Sequence, residues 1–464
     1  MIGIQIDDSK WATPDASLNH FALFEALHLY IIPIIALMLL IGMLTGANLF
    51  ALGACTLLIV FQLTRFYAER WAGCLTVERQ VTNSELQIGE SLSVGLRLKN
   101  NTGYYIPWLF AEDLLSKRVT SQPNRALDVT GFPAKLYFFR PRQPALMTYQ
   151  IRAIRRGYFQ LGPTILETGD LLGLHRNYRV ASEPHYIVVL PKLVPLQGIN
   201  IASRRPMGDL HVHDRAMEDP TQMVGIREYR PGDSLNRIHW RATARTGKLH
   251  TRIFQPTCIQ GAMLVLDMHS NSNPDRNEPV RSDLAVTMAA SLAHTLYLMN
   301  QPFGLISNGR DAADRVRRMH LERDFSDRNS VRADVEMNAN SDRLRPVVVE
   351  ARSGPEQFAN VHRTLARLER TDGLKFEELL VETQDRLSRQ LSVLVLVQQV
   401  DDSMALALGM LRRRGYAVSA IVNQHEQDGL QDSAARLVAY HIPVFALPDE
   451  EAIPTVCRDM LLAG

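Results

Sequence analysis

Cysteine is scarce. The chain has four in 464 residues, Cys55, Cys74, Cys258 and Cys457, and none form the short-spaced pairs that structural zinc sites and redox motifs use. This excludes a disulfide-stapled fold and points to a reducing compartment. Excess charge of one sign is missing as well. The formal net charge is +2 and the isoelectric point about 8.3, so no whole-molecule field announces a nucleic-acid partner, and none is expected. There is no HExxH, no Walker loop and no nucleophile turn with a Ser-His-Asp order, and the chain is read as a non-enzyme.

Long apolar runs are present near the start. Leu27 to Leu44 and Leu49 to Leu63 are almost wholly apolar and are separated by "TGAN". Each run is near the length that crosses a bilayer as a helix, so the pattern predicts a two-helix transmembrane hairpin over 27–65. Residues 1–26 form the segment before it, with no basic start or small-residue cleavage site that would mark a removed signal. Arg65, Arg70 and Arg79 follow the second run, which places the downstream part in the cytoplasm and the protein in the plasma (inner) membrane as a multi-pass chain.

Residues 74–196 change to a period of two. In "ESLSVGLRLKN", Leu92, Val94, Leu96 and Leu98 fall on one strand face, and turn formers separate further runs of the same kind. An antiparallel, immunoglobulin-like β-sandwich is expected there. From 261 to 464, continuous apolar strands such as "GAMLVLD" and "LSVLVLVQQ" alternate with helical patterns, as in a doubly wound α/β domain. A polar, charge-mixed excursion at 308–343 interrupts it, and "LRPVVVEAR" returns as an edge strand.

Between these regions, within 219–260, lies "REYRPGDSLNRIHWRATARTGKL", with five arginines, a Pro-Gly-Asp turn, a histidine and a tryptophan. Pro231 and Gly232 suit a tight turn, and Asp233 is placed to cap a helical turn running from Ser234 to Trp240. Arg237 and Arg241 are four apart and share a helix face, with Ile238 on another. Three uses compete for the arginines: a nucleic-acid patch, a phosphate site, or ion pairing that fixes the segment between domains or against a partner. Glu228 and Asp233 among the arginines, and the lack of a glycine-rich loop leading into a helix, favour the third.

The stretch resembles the signature of the domain of unknown function 58 family. The resemblance is carried by Arg227, Tyr229, Pro231, Gly232, Asp233, Arg237, Ile238, Trp240, Ala244, Arg245 and Leu249. Arg230 and Arg241, which lie among them, join Arg227, Tyr229, Pro231, Gly232, Asp233, Arg237, Trp240 and Arg245 as candidates for a structural or partner-facing role. It implies a paired membrane anchor, a β-rich segment and a von Willebrand factor type A-like domain. It also implies a partner, a MoxR-type AAA+ ATPase, with which members are thought to act as adaptors in assembling or maturing other complexes. One departure is "TRIFQPT", where many members have an acid after the aromatic.

In an open parallel sheet, ligands gather beyond the carboxyl ends of the strands. That directs attention to Asp267 in "LVLDMHSNSN" and to Asp401 and Asp402 after "LSVLVLVQQV". The first loop resembles the metal-dependent adhesion motif of type A domains, which implies magnesium. His269 and Asn271 stand where that motif has serines, and the plainer reading of Asp267 is a cap on the following turn. The expectation is therefore a membrane-anchored adaptor that works with an AAA+ ATPase on an unnamed client protein. The alternative is a metal-dependent ligand-binding module built on Asp267 and Asp401 or Asp402.

Overall fold

The computed structural model describes residues 48–73, 75–101, 105–115, 125–169, 176–196, 218–230, 238–256, 261–314, 344–456 and 460–462, with isolated positions in 33–44 and at 103. The chain divides into two compact units. The first comprises Met1–Ile154, Phe159–Ile187 and Arg318–Met337, and the second Arg155–Tyr158, Val188–Arg317 and Asn338–Gly464.

The transmembrane hairpin is not what the structure shows. Among the described residues no helix is long and apolar enough to cross a membrane. This overturns the expected pair of integral helices, the membrane as a partner and the multi-pass plasma-membrane location. Helix α1 (Asn48–Gly73) contains the second apolar run, but that run ends at Leu63 and the helix continues through Arg65, Glu69 and Arg70. Fifteen helical residues rise only about 22 Å, against a hydrocarbon core of about 30 Å. Ala54 and Phe61 on this helix are buried. Most of Leu27–Leu44 lies outside the described residues.

Ten strands follow: β1 (Leu75–Val81), β2 (Glu85–Gln87), β3 (Ser91–Asn100), β4 (Ile106–Leu115), β5 (Leu127–Gly131), β6 (Ala134–Phe139), β7 (Pro144–Ala153), β8 (Gly157–Gly169), β9 (Arg176–Val180) and β10 (His185–Leu190). They form a four-stranded sheet, β1-β3-β7-β5, and a six-stranded one, β2-β10-β8-β4-β6 with β9 beside β8. Alternation decides which residues face inward. Leu92, Val94 and Leu96 on β3 are buried and pair across to Ile151, Tyr149 and Met147 on β7, also buried.

Arg79 occupies an inward position of β1 and reaches across to the other sheet. It pairs with Asp113 on β4, donates to the Leu161 carbonyl, and reaches Thr164 Oγ1 at 3.2 Å. Asp113 also accepts from the Tyr149 hydroxyl and from Thr164 Oγ1 at 3.1 Å. The ion pair thus ties the two sheets together. Burial pushes the Asp113 carboxyl above the usual carboxylate range, opposed by Arg79 and by the two hydroxyl donors.

The second unit begins with β11 (Glu218–Glu228), helix α2 (Trp240–Thr246) and β12 (His250–Pro256), in which β11 and β12 pair antiparallel as a two-stranded ribbon. Then come β13 (Ala262–Leu266), α3 (Val280–Leu298), β14 (Phe303–Ser307), β15 (Arg310–Asp311), β16 (Val347–Arg352), α4 (Pro355–Arg367), β17 (Leu368–Glu369), α5 (Phe376–Glu382), β18 (Ser392–Val397), α6 (Asp402–Arg413), β19 (Ala417–Val422), α7 (Gln427–Val438), β20 (Val444–Ala446) and β21 (Met460–Leu462).

Its main sheet runs β16-β14-β13-β18-β19-β20-β21. The middle five strands are parallel, and β16 and β21 are antiparallel edges. Both faces are covered, which explains the continuous apolar strands. Leu264, Leu266, Leu394 and Leu396 pack with α3 and with Val361 and Leu365 of α4 on one face. Met263, Val265, Val393 and Val395 pack with α5, α6 and α7 on the other.

Helices α4 and α5 were not anticipated. Pro355 at the first helical position, with Phe358, Val361 and Leu365 on one face, is the signal for α4.

Candidate functional site

After β13 the chain turns to β14 on one side, and the later strand β18 lies on the other side of β13. The carboxyl ends of β13 and β18 therefore flank a topological switch point, where such sheets leave a crevice. Asp267 sits at this point but is 2% exposed. Its Oδ1 accepts from His269 N at 3.1 Å and Asn308 Nδ2 at 2.8 Å, and its Oδ2 accepts from Ser272 Oγ. Asn308 completes the clasp: its Oδ1 accepts from Met268 N at 2.7 Å and its Nδ2 also donates to Leu374 O. Burial raises the Asp267 carboxyl above its ordinary range, with the Ser272 and Asn308 hydrogen bonds pulling the other way.

Asp401 is the N-cap of α6, its Oδ1 accepting from Met404 N at 2.7 Å and Ser403 Oγ at 2.9 Å. Asp402 is 93% exposed at its side chain and pairs with Arg436 Nε at 3.2 Å. The three acids therefore hold a loop, cap a helix and face solvent. Among the described residues no three His, Cys, Asp or Glu side chains gather as a metal site. The residues present do not fit magnesium, which wants several oxygens converging in octahedral array.

What the crevice does hold is a polar pocket of about 360 Å³, lined by His269, Asn271, Ser272, Lys375, Glu377, Gln399, Asp401, Gln424, Asp432, Ser433 and Arg436 among others. Lys375 and Glu377 come from the start of α5, and Asp432 and Ser433 from α7. Gln424 closes one side: with its amide nitrogen toward the two carbonyls it donates to Gln398 O at 3.2 Å and Gly429 O at 3.0 Å. Sequence reasoning singled out Asp401 and found His269 and Asn271 only as departures from a motif, and it missed Lys375, Glu377, Gln399, Gln424, Asp432, Ser433 and Arg436, which no local spacing connects.

The signature residues lie elsewhere in the same unit. Tyr229 N donates to Leu249 O and His239 N to His250 O, both at 2.8 Å, extending the ribbon. Ile238 bridges to Thr251 and is 3% exposed. Helix α2 starts at Trp240, where the expected helical turn ends. Its N-cap is His239, whose Nδ1 accepts from Ala242 N at 3.0 Å. Gly247, at φ 72°, ends it in the left-handed conformation.

No residue of α2 is buried, and Trp240 is 66% exposed. Arg241 and Arg245 are exposed, one turn apart, and make no ion pair among the described residues. Arg230 is exposed, Arg227 and Tyr229 are half-buried, and Glu228 pairs with Lys248 at 3.4 Å. Pro231, Gly232, Asp233 and Arg237 lie outside the described residues.

The ribbon, α2 and the switch-point loop occupy one continuous stretch of chain. Residues 225–321 match the family described as protein of unknown function DUF58. A curated relative, uncharacterized protein YeaD of Bacillus subtilis, is 24% identical over 242 residues, which is 50% of this chain and 56% of the relative. The chain thus spans little more than half the length of the relative it matches. Together the two matches support a DUF58 protein.

Among solved structures, the CARDB domain of the PF1109 protein from Pyrococcus furiosus is 12% identical with a TM-score of 0.18, covering 25% of this chain and 87% of that one. Trypsin-activated alpha-2-macroglobulin from Escherichia coli is 13% identical with a TM-score of 0.20, covering 35% of this chain and 9% of that one. At these scores neither likeness bears on the fold. Within the DUF58 segment the structure shows an exposed basic helix and a closed acid clasp at the switch point.

Proposed function

We propose that the chain is a non-enzymatic adaptor that works with a MoxR-type AAA+ ATPase in assembling or maturing other protein complexes, and that it docks through helix α2 of the DUF58 segment. The observation that carries this is the outward display of Trp240, Arg241 and Arg245, which nothing among the described residues pairs or covers. An exposed tryptophan flanked by arginines is the composition of an interface hot spot, where large amphipathic area and planar hydrogen-bond forks act together. A segment that only braced its own fold would turn these groups inward. The ATPase is taken from the signature's resemblance, and the helix supplies the surface.

The test is capture of the ATPase by the full chain with ATP, ADP or no nucleotide, repeated on Trp240→Ala and on Arg241→Glu with Arg245→Glu. Capture by the parent chain, lost in both variants with unchanged thermal melting, is the expected result. Equal capture by all three chains would remove α2 from the interface, and no capture in any nucleotide state would remove the ATPase.

A further inference from the structure

The switch-point pocket has a use that the adaptor reading does not draw on. His269 lines it and is 6% exposed. Its Nδ1 accepts from Asn271 N at 3.1 Å, which assigns the ring proton to Nε2. Among the described residues no group pairs with Nε2, so the ring presents an open N–H donor to the pocket that it lines. Lys375 lines the same pocket and makes no ion pair among the described residues.

Three carboxylates complete the lining. Glu377 and Asp432 make no ion pair among the described residues, and Asp401 commits one oxygen to the first turn of α6. The remaining cation, Arg436, is already engaged by Asp402 and by the Val400 carbonyl. A ligand of one sign is poorly served here. A bare carboxylate meets three acids, and a bare ammonium meets Lys375 and the His269 N–H. A compact molecule carrying both signs finds complementary groups for each among the lining, in a crevice of about 360 Å³ at the place where α/β sheets bind ligands.

We infer that this pocket binds a small zwitterion of α-amino-acid chemistry, its carboxylate on His269 Nε2 and Lys375 and its ammonium toward Asp401 and Asp432. No metal is needed, because His269 itself supplies the donor. A free amino acid held by four or five polar contacts is expected to bind with a dissociation constant of about 1 mM or below.

The experiment is calorimetry on the full chain with L-serine and L-glutamine, and with N-acetylglutamine and glutaminamide, each of which lacks one of the two charges. Binding by at least one free amino acid, at least about tenfold weaker for both blocked forms, is the expected result. His269→Gln and Asp432→Asn should each weaken it about tenfold with melting unchanged. Asp432 is exposed on α7, so its conservative variant reports on binding even if His269→Gln disturbs the loop. The inference is overturned by no heat from either free amino acid, by a blocked form that binds equally well, or by undiminished binding in Asp432→Asn.

Discussion

Two arginine sites, one in each unit, use the side chain in opposite ways. Arg79, on the β-rich unit, has 7% of its side chain exposed and spends its guanidinium on Asp113, Thr164 and the Leu161 carbonyl. Even so its Nε is buried without a hydrogen-bond partner among the described residues. Arg241 and Arg245, on α2, stand in solvent with no ion pair among the described residues. The difference follows from where the backbone puts them. An inward strand position encloses the charge, so desolvation must be offset by fixed partners. A short helix with no buried residue leaves its arginines hydrated and available. One arrangement fixes the spacing of two sheets, and the other leaves donors for something outside.

The comparison breaks most visibly from the buried side. Asp113→Ala leaves Arg79 enclosed without its counter-ion and should cost about 3–5 kcal/mol, read from urea unfolding. Gly162→Ala attacks the same pair from the opposite side. Gly162 has φ +77°, and a Cβ there would lie 2.1 Å from Arg79 Nη2, so a loss of the same order is expected. A nearly neutral result for Asp113→Ala would show that the cross-sheet pair does not hold the sheets.

Next in size is the clasp at Asp267. Asp267→Ala leaves the His269 amide without its acceptor and removes one of the two acceptors of the Asn308 amide and of the Ser272 hydroxyl, at about 2–4 kcal/mol. Asp267→Asn keeps one oxygen and should cost about 1 kcal/mol or less near neutral pH. The pH dependence has a definite sign. The folded carboxyl titrates above its unfolded value of 3.8, so its stabilising contribution is full below that value and declines as pH rises through the raised one. Asparagine has no such slope. The gap between the parent chain and Asp267→Asn should therefore move in favour of the variant from pH 4 upward, as chemical denaturation at several pH values would show. A constant gap would mean that the carboxylate is not penalised by burial.

How much of this could be read in advance depended on whether the cause was local. The alternation of Leu92, Val94, Leu96 and Leu98 follows from a half-buried strand, and the continuous β13 and β18 from a sheet covered on both faces. The apolar run at Leu49–Leu63 misled because composition suggested a span while length fell short of one. At α2, the expected turn ended where the helix begins: Ile238 is taken by a bridge to Thr251, and the cap is a histidine, outside the usual Ser, Thr, Asp and Asn set. The expected cap, Asp233, lies outside the described residues. Lys375, Glu377, Gln424 and Asp432 were illegible for another reason. They belong to separate crossovers that only the assembled sheet brings to one edge.

A smaller effect is expected at Asp401. Asp401→Ala removes the acceptor for Met404 N at the start of α6 and should cost about 1 kcal/mol, whereas Asp401→Asn or Asp401→Ser should recover most of it. Melting temperatures of the three variants suffice. If the serine variant were as damaged as the alanine one, the carboxylate would matter for its charge and not for capping.

The smallest effect on the fold, and the sharpest test of the comparison, is the exchange of arginine for lysine. Lysine keeps the charge but loses the planar fork. At position 79 the fork has four partners to satisfy, Asp113, Thr164, Ser182 and the Leu161 carbonyl, so Arg79→Lys should destabilise measurably although no charge is lost. At 241 and 245 the same exchange should change folding stability by no more than about 0.5 kcal/mol, as expected for exposed positions. If the proposed docking by α2 is correct, Arg241→Lys with Arg245→Lys should keep the salt-dependent part of partner association, because long-range attraction depends on charge alone and is screened over about 8 Å at physiological ionic strength. It should nevertheless dissociate faster, because the forks are lost at contact. Association and dissociation rates measured at two salt concentrations separate these outcomes. A lysine pair that matched arginine in both rates would reduce α2 to a patch of diffuse charge, and a lysine pair that melted early would place its arginines in the same structural role as Arg79.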